Sequence, residues 1–303
     1  RITDELGNKM HFNYDNPFRR RTSFTDARGN TTRYTYDTAG NLLSTTYPNN
    51  SIEWLGEHTA AGLPQSSTNR RSQTISYTYT PAGTLSRQSF TNGSFNDFAY
   101  DHRGNLTNVI EHTIFGTNKT TTYAYNYATD GDRLRQVTYP DNRWVAFAYD
   151  SFGRRQQMTD STGSTNKYEY NTTGRLWRLR DATNAVLVEY LYDATGSLSR
   201  VNKGNGTYTT YGYDAAGQLL HLINHAPGGA ANSRFDYTYD RRGRRITMST
   251  LDGDWTYNYD SSGQLTHAVF SSIDTNIPSQ DLQYLFDALG NRTRTVENGV
   301  TNL

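Results

Sequence analysis

Thr32-Arg-Tyr-Thr-Tyr-Asp-Thr-Ala-Gly-Asn-Leu42 is the stretch that decides the fold, because its pattern returns along the whole chain. A tyrosine directly precedes an aspartate, and a glycine follows that aspartate at an offset of three. A sequence period of about 20–50 residues indicates an array of similar units. Eight copies keep both turn residues: Asp37 and Gly40, Asp101 and Gly104, Asp150 and Gly153, Asp193 and Gly196, Asp214 and Gly217, Asp240 and Gly243, Asp260 and Gly263, Asp287 and Gly290.

Thirteen copies of the pattern can be counted, so one copy occupies about 23 residues. Asp15 begins a copy that lacks the glycine, and Thr129 stands at the glycine position of the copy at 126. Threonine or asparagine replaces the aspartate in four copies, and both can hydrogen-bond to backbone as aspartate does. The aspartate position falls at residues 15, 37, 59, 80, 101, 126, 150, 171, 193, 214, 240, 260 and 287.

Each copy predicts one β-hairpin. Aromatic residues two apart, such as Tyr211 and Tyr213, lie on the same face of a strand. The aspartate then opens a turn by accepting backbone N–H groups, and the glycine supplies a positive φ. Thirteen hairpins predict an all-β fold of roughly twenty-six strands in one long, curled antiparallel sheet without α-helix.

The composition narrows the class of protein further. The 303 residues include no cysteine, which excludes disulfides and thiol chemistry, and the net charge of +1 gives no electrostatic case for nucleic acid. No apolar run approaches the ~18 residues of a membrane span. Hydrophobic residues reach only 34%. We therefore expect a sheet held together by aromatic contacts and hydrogen bonds instead of a thick apolar core.

The quoted stretch resembles the YD repeat, also called the Rhs repeat, and the resemblance covers residues 1–303 as a single array. In Rhs proteins, the C components of Tc toxins and teneurins, such repeats wind one sheet into a hollow shell. In the bacterial members the shell encloses a toxic C-terminal domain. The family's Asp-Pro-x-Gly-Leu junction and self-cleaving aspartate have no counterpart here. The resemblance therefore implies neither self-cleavage nor a particular cargo.

The resemblance implies a shell segment of a larger secreted or cell-surface bacterial protein, whose partners are the remaining shell, a cargo domain, or another copy at an open sheet edge. The alternative is an adhesive surface that binds glycans, with Tyr211, Tyr213 and Trp255 as stacking residues. The repeated aspartates do not single out a catalytic pair, so we expect no enzyme and no cofactor. His221 and His225 lack a third ligand nearby in sequence, so no metal site is predicted.

Overall fold

The computed structural model describes residues 1–14, 17–128 and 131–302. Asp15 and Thr129, where two copies depart from the pattern, lie outside the described residues. Within the described residues there are 28 strands and no helix, and the strands form one antiparallel sheet. The predicted all-β array is confirmed: β2 to β27 are the thirteen predicted hairpins, and β1 and β28 flank them.

The strands follow one another along the chain. Their bounds are β1 Ile2–Thr3, β2 Lys9–Asn13, β3 Ser23–Thr25, β4 Thr31–Tyr36, β5 Leu42–Thr46, β6 Ile52–Leu55, β7 Ser66–Thr68, β8 Thr74–Tyr79, β9 Leu85–Phe90, β10 Phe95–Tyr100, β11 Leu106–His112, β12 Asn118–Tyr125, β13 Leu134–Thr138, β14 Trp144–Tyr149, β15 Arg155–Asp160, β16 Thr165–Tyr170, β17 Leu176–Arg180, β18 Val186–Tyr192, β19 Leu198–Lys203, β20 Tyr208–Tyr213, β21 Leu219–His225, β22 Ala231–Tyr239, β23 Arg245–Thr250, β24 Gly253–Tyr259, β25 Leu265–Ser272, β26 Gln280–Phe286, β27 Arg292–Glu297 and β28 Val300–Asn302.

The hairpins share one irregularity of register. Ala99 of β10 lies opposite Asn108 of β11. The next residue, Tyr100, lies opposite Leu106, so Thr107 is an extra residue and forms a β-bulge. Ten hairpins show this shift at the residue that directly precedes the repeat turn. The bulge is therefore part of the repeat, and it increases the local strand twist.

The chain divides into two compact units. The first comprises Arg1–Tyr34, Thr46–Ser51 and Val188–Leu303, and the second comprises Thr35–Thr45 and Ile52–Leu187. Consecutive strands pair within each unit, so both are built from the same hairpins.

Burial is shallow in both units. Among the described residues no side chain is exposed by less than 2%, and the most buried apolar ones are Val137, Tyr237, Ala268 and Phe270. The accessible surface of 18475 Å² is roughly 1.4 times the ~12,900 Å² expected for a folded globular protein of this mass. In β4, β8 and β24 the two tyrosine residues or the tryptophan and tyrosine residues that precede the turn are half-buried, whereas the residues between them are exposed. Cohesion must therefore come from contacts between neighbouring strands.

Candidate functional site

The repeat turn is the most regular site in the molecule. At Asp193 the backbone N–H donates to the carbonyl of Ser197 at 2.9 Å, and the N–H of Gly196 donates to the Asp193 carbonyl at 3.0 Å. One carboxylate oxygen of Asp193 accepts the N–H groups of Thr195 and Ser197, both at 2.9 Å. The side chain thus satisfies two donors that the tight turn would otherwise leave unpaired.

All eight predicted turn aspartates accept the N–H groups of the residues two and four positions later. The eight predicted glycines all have a positive φ, between +73° and +88°, which side chains with a Cβ rarely adopt. These glycines are Gly40, Gly104, Gly153, Gly196, Gly217, Gly243, Gly263 and Gly290.

The second carboxylate oxygen binds the side chain four residues later in several copies. Asn41 donates to Asp37 at 2.9 Å, and these bonds hold the pKa of Asp37 below its ordinary value. The guanidinium of Arg244 donates to Asp240 at 2.7 Å. Burial of Asp240 favours its neutral form, but the backbone N–H and guanidinium of Arg244 outweigh burial, so the pKa of Asp240 is also lowered. These carboxylates are ionised and saturated with donors, which suits a structural role and not proton transfer.

In several repeats the tyrosine before the turn bonds to the previous repeat. The Tyr213 hydroxyl on β20 donates to the carbonyl of Leu198, the first residue of β19, at 3.0 Å. The backbone ladder between β19 and β20 ends at Arg200 and Thr210, so this hydroxyl bonds a carbonyl beyond the ladder's end. Burial raises the pKa of Tyr213, which keeps the hydroxyl protonated as a donor.

The same bond, referred to below as the tyrosine staple, joins eight pairs among the described residues, always from the residue directly before the repeat turn. The pairs are Tyr79 to Pro64, Tyr100 to Leu85, Tyr125 to Leu106, Tyr149 to Leu134, Tyr170 to Arg155, Tyr213 to Leu198, Tyr239 to Leu219 and Tyr259 to Arg245, at 2.6–3.0 Å.

Arginine residues of the preceding turn cover some of these rings. The guanidinium carbon of Arg154 lies 4.3 Å from the Tyr170 ring centre, and that of Arg244 lies 4.6 Å from the Tyr259 ring centre. Both arginines also bind the aspartate of their own turn. Cation–π contacts of this kind favour arginine over lysine because its planar group stacks on the ring. The arginines therefore reinforce the contact between consecutive repeats.

Two elements of the site were not predicted from the sequence. The bulge residue is serine or threonine in several hairpins, and its hydroxyl donates to the carbonyl two residues before the turn aspartate, as Thr107 does to Ala99 at 3.1 Å. The same turn also occurs at Asp4 and Asp26, where no aromatic residue precedes the aspartate. The aspartate–glycine offset alone would have found both turns.

The three residues proposed for glycan stacking lie in the first unit and are half-buried. The Tyr213 hydroxyl is used in a staple, and Trp255 stacks on Tyr257 and Phe270, with ring centres 6.1 and 5.1 Å apart. Tyr211 lies on the same face two residues before Tyr213. Glycan binding by these three residues stays a prediction.

The two histidines four apart have separate partners. Nδ1 of His221 lies 2.5 Å from a carboxylate oxygen of Asp236, whereas Nε2 of His225 lies 3.0 Å from the Thr210 hydroxyl. In the part of the chain that the structure describes, no group of three His, Cys, Asp or Glu side chains could hold a metal ion. The same residues contain no helix long and apolar enough to cross a membrane.

Turn, bulge and staple together define an array of YD repeats. A sequence model described as Teneurin YD-shell matches residues 97–254, and one described as RHS Repeat matches residues 20–52. The first match covers more than half of the chain. The chain therefore belongs to the Teneurin YD-shell family. Neither description names a catalytic activity. Among proteins with curated descriptions, no sequence matches.

Solved structures show the same fold. The crystal structure of TcdB2-TccC3-TEV matches 91% of this chain with a TM-score of 0.67 and 16% identity, and the chain covers 19% of its length. A Photorhabdus luminescens Tc holotoxin pore matches 91% with a TM-score of 0.67 and 17% identity, covering 18% of that chain. TcdB2-TccC3 without its hypervariable C-terminal region matches 95%, also with a TM-score of 0.67 and 17% identity, over 18% of its length. The chain thus spans less than a fifth of each.

Proposed function

We propose that this chain is a wall segment of a secreted or cell-surface bacterial protein that encloses or presents another domain. The observation that carries the proposal is the tyrosine staple, which in eight places joins a repeat to the previous one in a sheet without a thick core. Such a sheet gains its cohesion along its length, as a container wall requires, and not around an internal pocket.

The similar solved structures support the proposal at the level of architecture. They are described as assemblies of TcdB2 with TccC3, in which the matched sheet is a small part of a much longer chain. In the present chain the turn carboxylates, such as that of Asp37, already accept hydrogen bonds from backbone and side-chain donors. A catalytic role would need carboxylates free to exchange protons with a substrate. The partners proposed are therefore further shell repeats and a cargo domain.

Protease protection of the natural polypeptide that contains this array tests the proposal. We expect a second domain to resist proteolysis while the sheet is folded and to be cleaved after the sheet is opened with urea. The control is the same second domain expressed without the array, which should be cleaved at once. Equal cleavage rates with and without the folded array would refute enclosure.

One observation favours glycan binding as the second candidate function. Trp54 is 50% exposed beside a cavity of about 320 Å³. Glu53, Ser67 and Asn69 also line it. An exposed indole ring with hydroxyl, amide and carboxylate groups around it matches the chemistry of a small neutral sugar. A glycan array with the wild type, Trp54→Ala and Tyr211→Ala tests this: binding lost in either variant supports the candidate, and no binding by the wild type refutes it.

A further inference from the structure

Two turns near the start of the chain lie against turns more than two hundred residues later, all within the first unit. One guanidinium nitrogen of Arg28 lies 3.5 Å from the Asp260 carboxylate. In the opposite direction, Nε of Arg242 lies 3.2 Å from the Asp4 carboxylate. Each arginine stands two residues after its own turn aspartate, Asp26 or Asp240. The two ion pairs are thus reciprocal: each side of the contact supplies one arginine and one aspartate.

Hydrogen bonds also join the two sets of turns. Arg28 also donates to the side chain of Gln264 and, at 3.4 Å, to the carbonyl of Phe286. The Ser261 hydroxyl donates to the Ala27 carbonyl at 3.2 Å. Arg28 therefore contacts the turns at Asp260 and Asp287. The backbone carbonyl of Ala27 binds the turn at Asp260.

The four charged side chains of this contact are partly withdrawn from water. Their exposed fractions are 11% for Asp4, 22% for Arg242, 26% for Arg28 and 20% for Asp260. Ion pairs at such depth are stronger than fully exposed ones but remain sensitive to salt. All the bonds described here between the two sets of turns are polar, so the contact depends on electrostatics and geometry.

The strand pairings at the start of the chain are short. β1 pairs with β2 at two positions, and β2 with β3 at three. The ladder between β24 and β25, by contrast, has seven pairs. Short ladders with exposed backbone bonds open at lower free energy than long ones. Arg21 adds contacts with Phe12, Phe24 and Tyr34 inside this segment, and the turn contact joins the segment to turns more than two hundred residues later.

We propose that the turns at Asp4 and Asp26 form a latch on the turns at Asp240, Asp260 and Asp287, and that this latch opens while the rest of the sheet stays folded. The recognition element is the arginine two residues after a turn aspartate, which binds the aspartate of the facing turn. The surface therefore fits one kind of partner, another YD-repeat turn that offers the reciprocal pair. The latch is a property of these residues and does not depend on the presence of a cargo domain.

The absence of cysteine makes a direct test possible. The double variant Ala27→Cys, Ser261→Cys carries the only two thiols, at a contact where backbone and hydroxyl oxygens are 3.2 Å apart. We expect a short bismaleimide to cross-link them rapidly at low salt. Cross-linking should slow measurably in ~1 M salt, by at most about five-fold, because the loss of one ion pair of up to ~1 kcal/mol shifts the equilibrium between closed and open contact by that factor. The control double variant Ala27→Cys, Ser197→Cys should not cross-link.

Adding Arg28→Met should slow cross-linking to a similar extent, whereas Arg33→Met, on an exposed residue of β4, should leave the rate unchanged. Circular dichroism checks that each variant keeps its sheet. If Arg28→Met lowers the folded fraction, the latch is judged only from the salt dependence of cross-linking in Ala27→Cys, Ser261→Cys, because that series changes no further residue. Equal cross-linking of the two cysteine pairs, or a rate insensitive to salt, would overturn the latch.

Discussion

Tyr213 and Tyr211 offer a matched pair for testing the tyrosine staple. They lie two residues apart on one face of β20, but only the Tyr213 hydroxyl has a hydrogen-bond partner among the described residues, the Leu198 carbonyl at 3.0 Å. Tyr213→Phe removes this bond and keeps the ring. A protein hydrogen bond contributes about 0.5–1.5 kcal/mol net, and water can reach the freed carbonyl of a half-buried residue, so we expect a loss of about 1 kcal/mol. Tyr211→Phe removes a hydroxyl without a bond and should cost well under 0.5 kcal/mol.

Urea unfolding followed by tryptophan fluorescence measures the difference, provided the slope with denaturant is the same for the three proteins. Because an array does not always unfold as one cooperative unit, hydrogen exchange of the β19 and β20 amides gives a local second readout. About 1 kcal/mol corresponds to a roughly five-fold faster exchange at these amides in Tyr213→Phe. Equal midpoints and equal exchange for the two variants would refute the idea that the staple holds neighbouring repeats together.

Three further outcomes follow from the repeat. Gly196→Val should destabilise the protein by at least ~1 kcal/mol more than Ser197→Val, because Gly196 has a φ of +88°; equal melting temperatures would contradict the turn assignment. Phe286→Tyr should raise the urea midpoint, because Phe286 holds the staple position without a hydroxyl; an unchanged midpoint with a folded spectrum would count against it. Bonds from Thr195 and the backbone lower the pKa of Asp193 below its ordinary value, so its contribution to stability is complete above about pH 5 and is lost as pH falls through the folded pKa. Asp193→Asn should therefore lessen the fall in stability below about pH 5, and an identical acid profile would argue against ionised turn carboxylates.

The hairpin and its turn could be predicted because both depend on residues close in sequence. The alternation of Tyr211 and Tyr213, and the offset from Asp214 to Gly217, express strand periodicity and turn chemistry directly. The same local chemistry made the prediction of shallow burial possible, since a chain with so few apolar residues has little with which to fill a core.

The staple could not be predicted because it joins residues about fifteen apart in sequence, and its partner depends on where the ladder ends. The backbone pairing between β19 and β20 stops at Arg200 opposite Thr210. Only then is the carbonyl of Leu198 left for the Tyr213 hydroxyl. The latch could not be predicted either, because Arg28 and Asp260 are far apart in sequence and no local pattern indicates that their turns meet.

These contacts explain why tyrosine and aspartate recur as neighbours. The aspartate closes the turn of its own hairpin, as Asp214 does through the N–H groups of Ala216 and Gln218. The tyrosine beside it reaches back to the previous hairpin, at the end where the backbone ladder between the two repeats has already stopped. The dipeptide thus couples folding within a repeat to docking between repeats. Stability should then be a sum of hairpin terms and nearest-neighbour terms, as in other repeat proteins. A change at the aspartate should act mainly within one hairpin, whereas a change at the tyrosine should act on two.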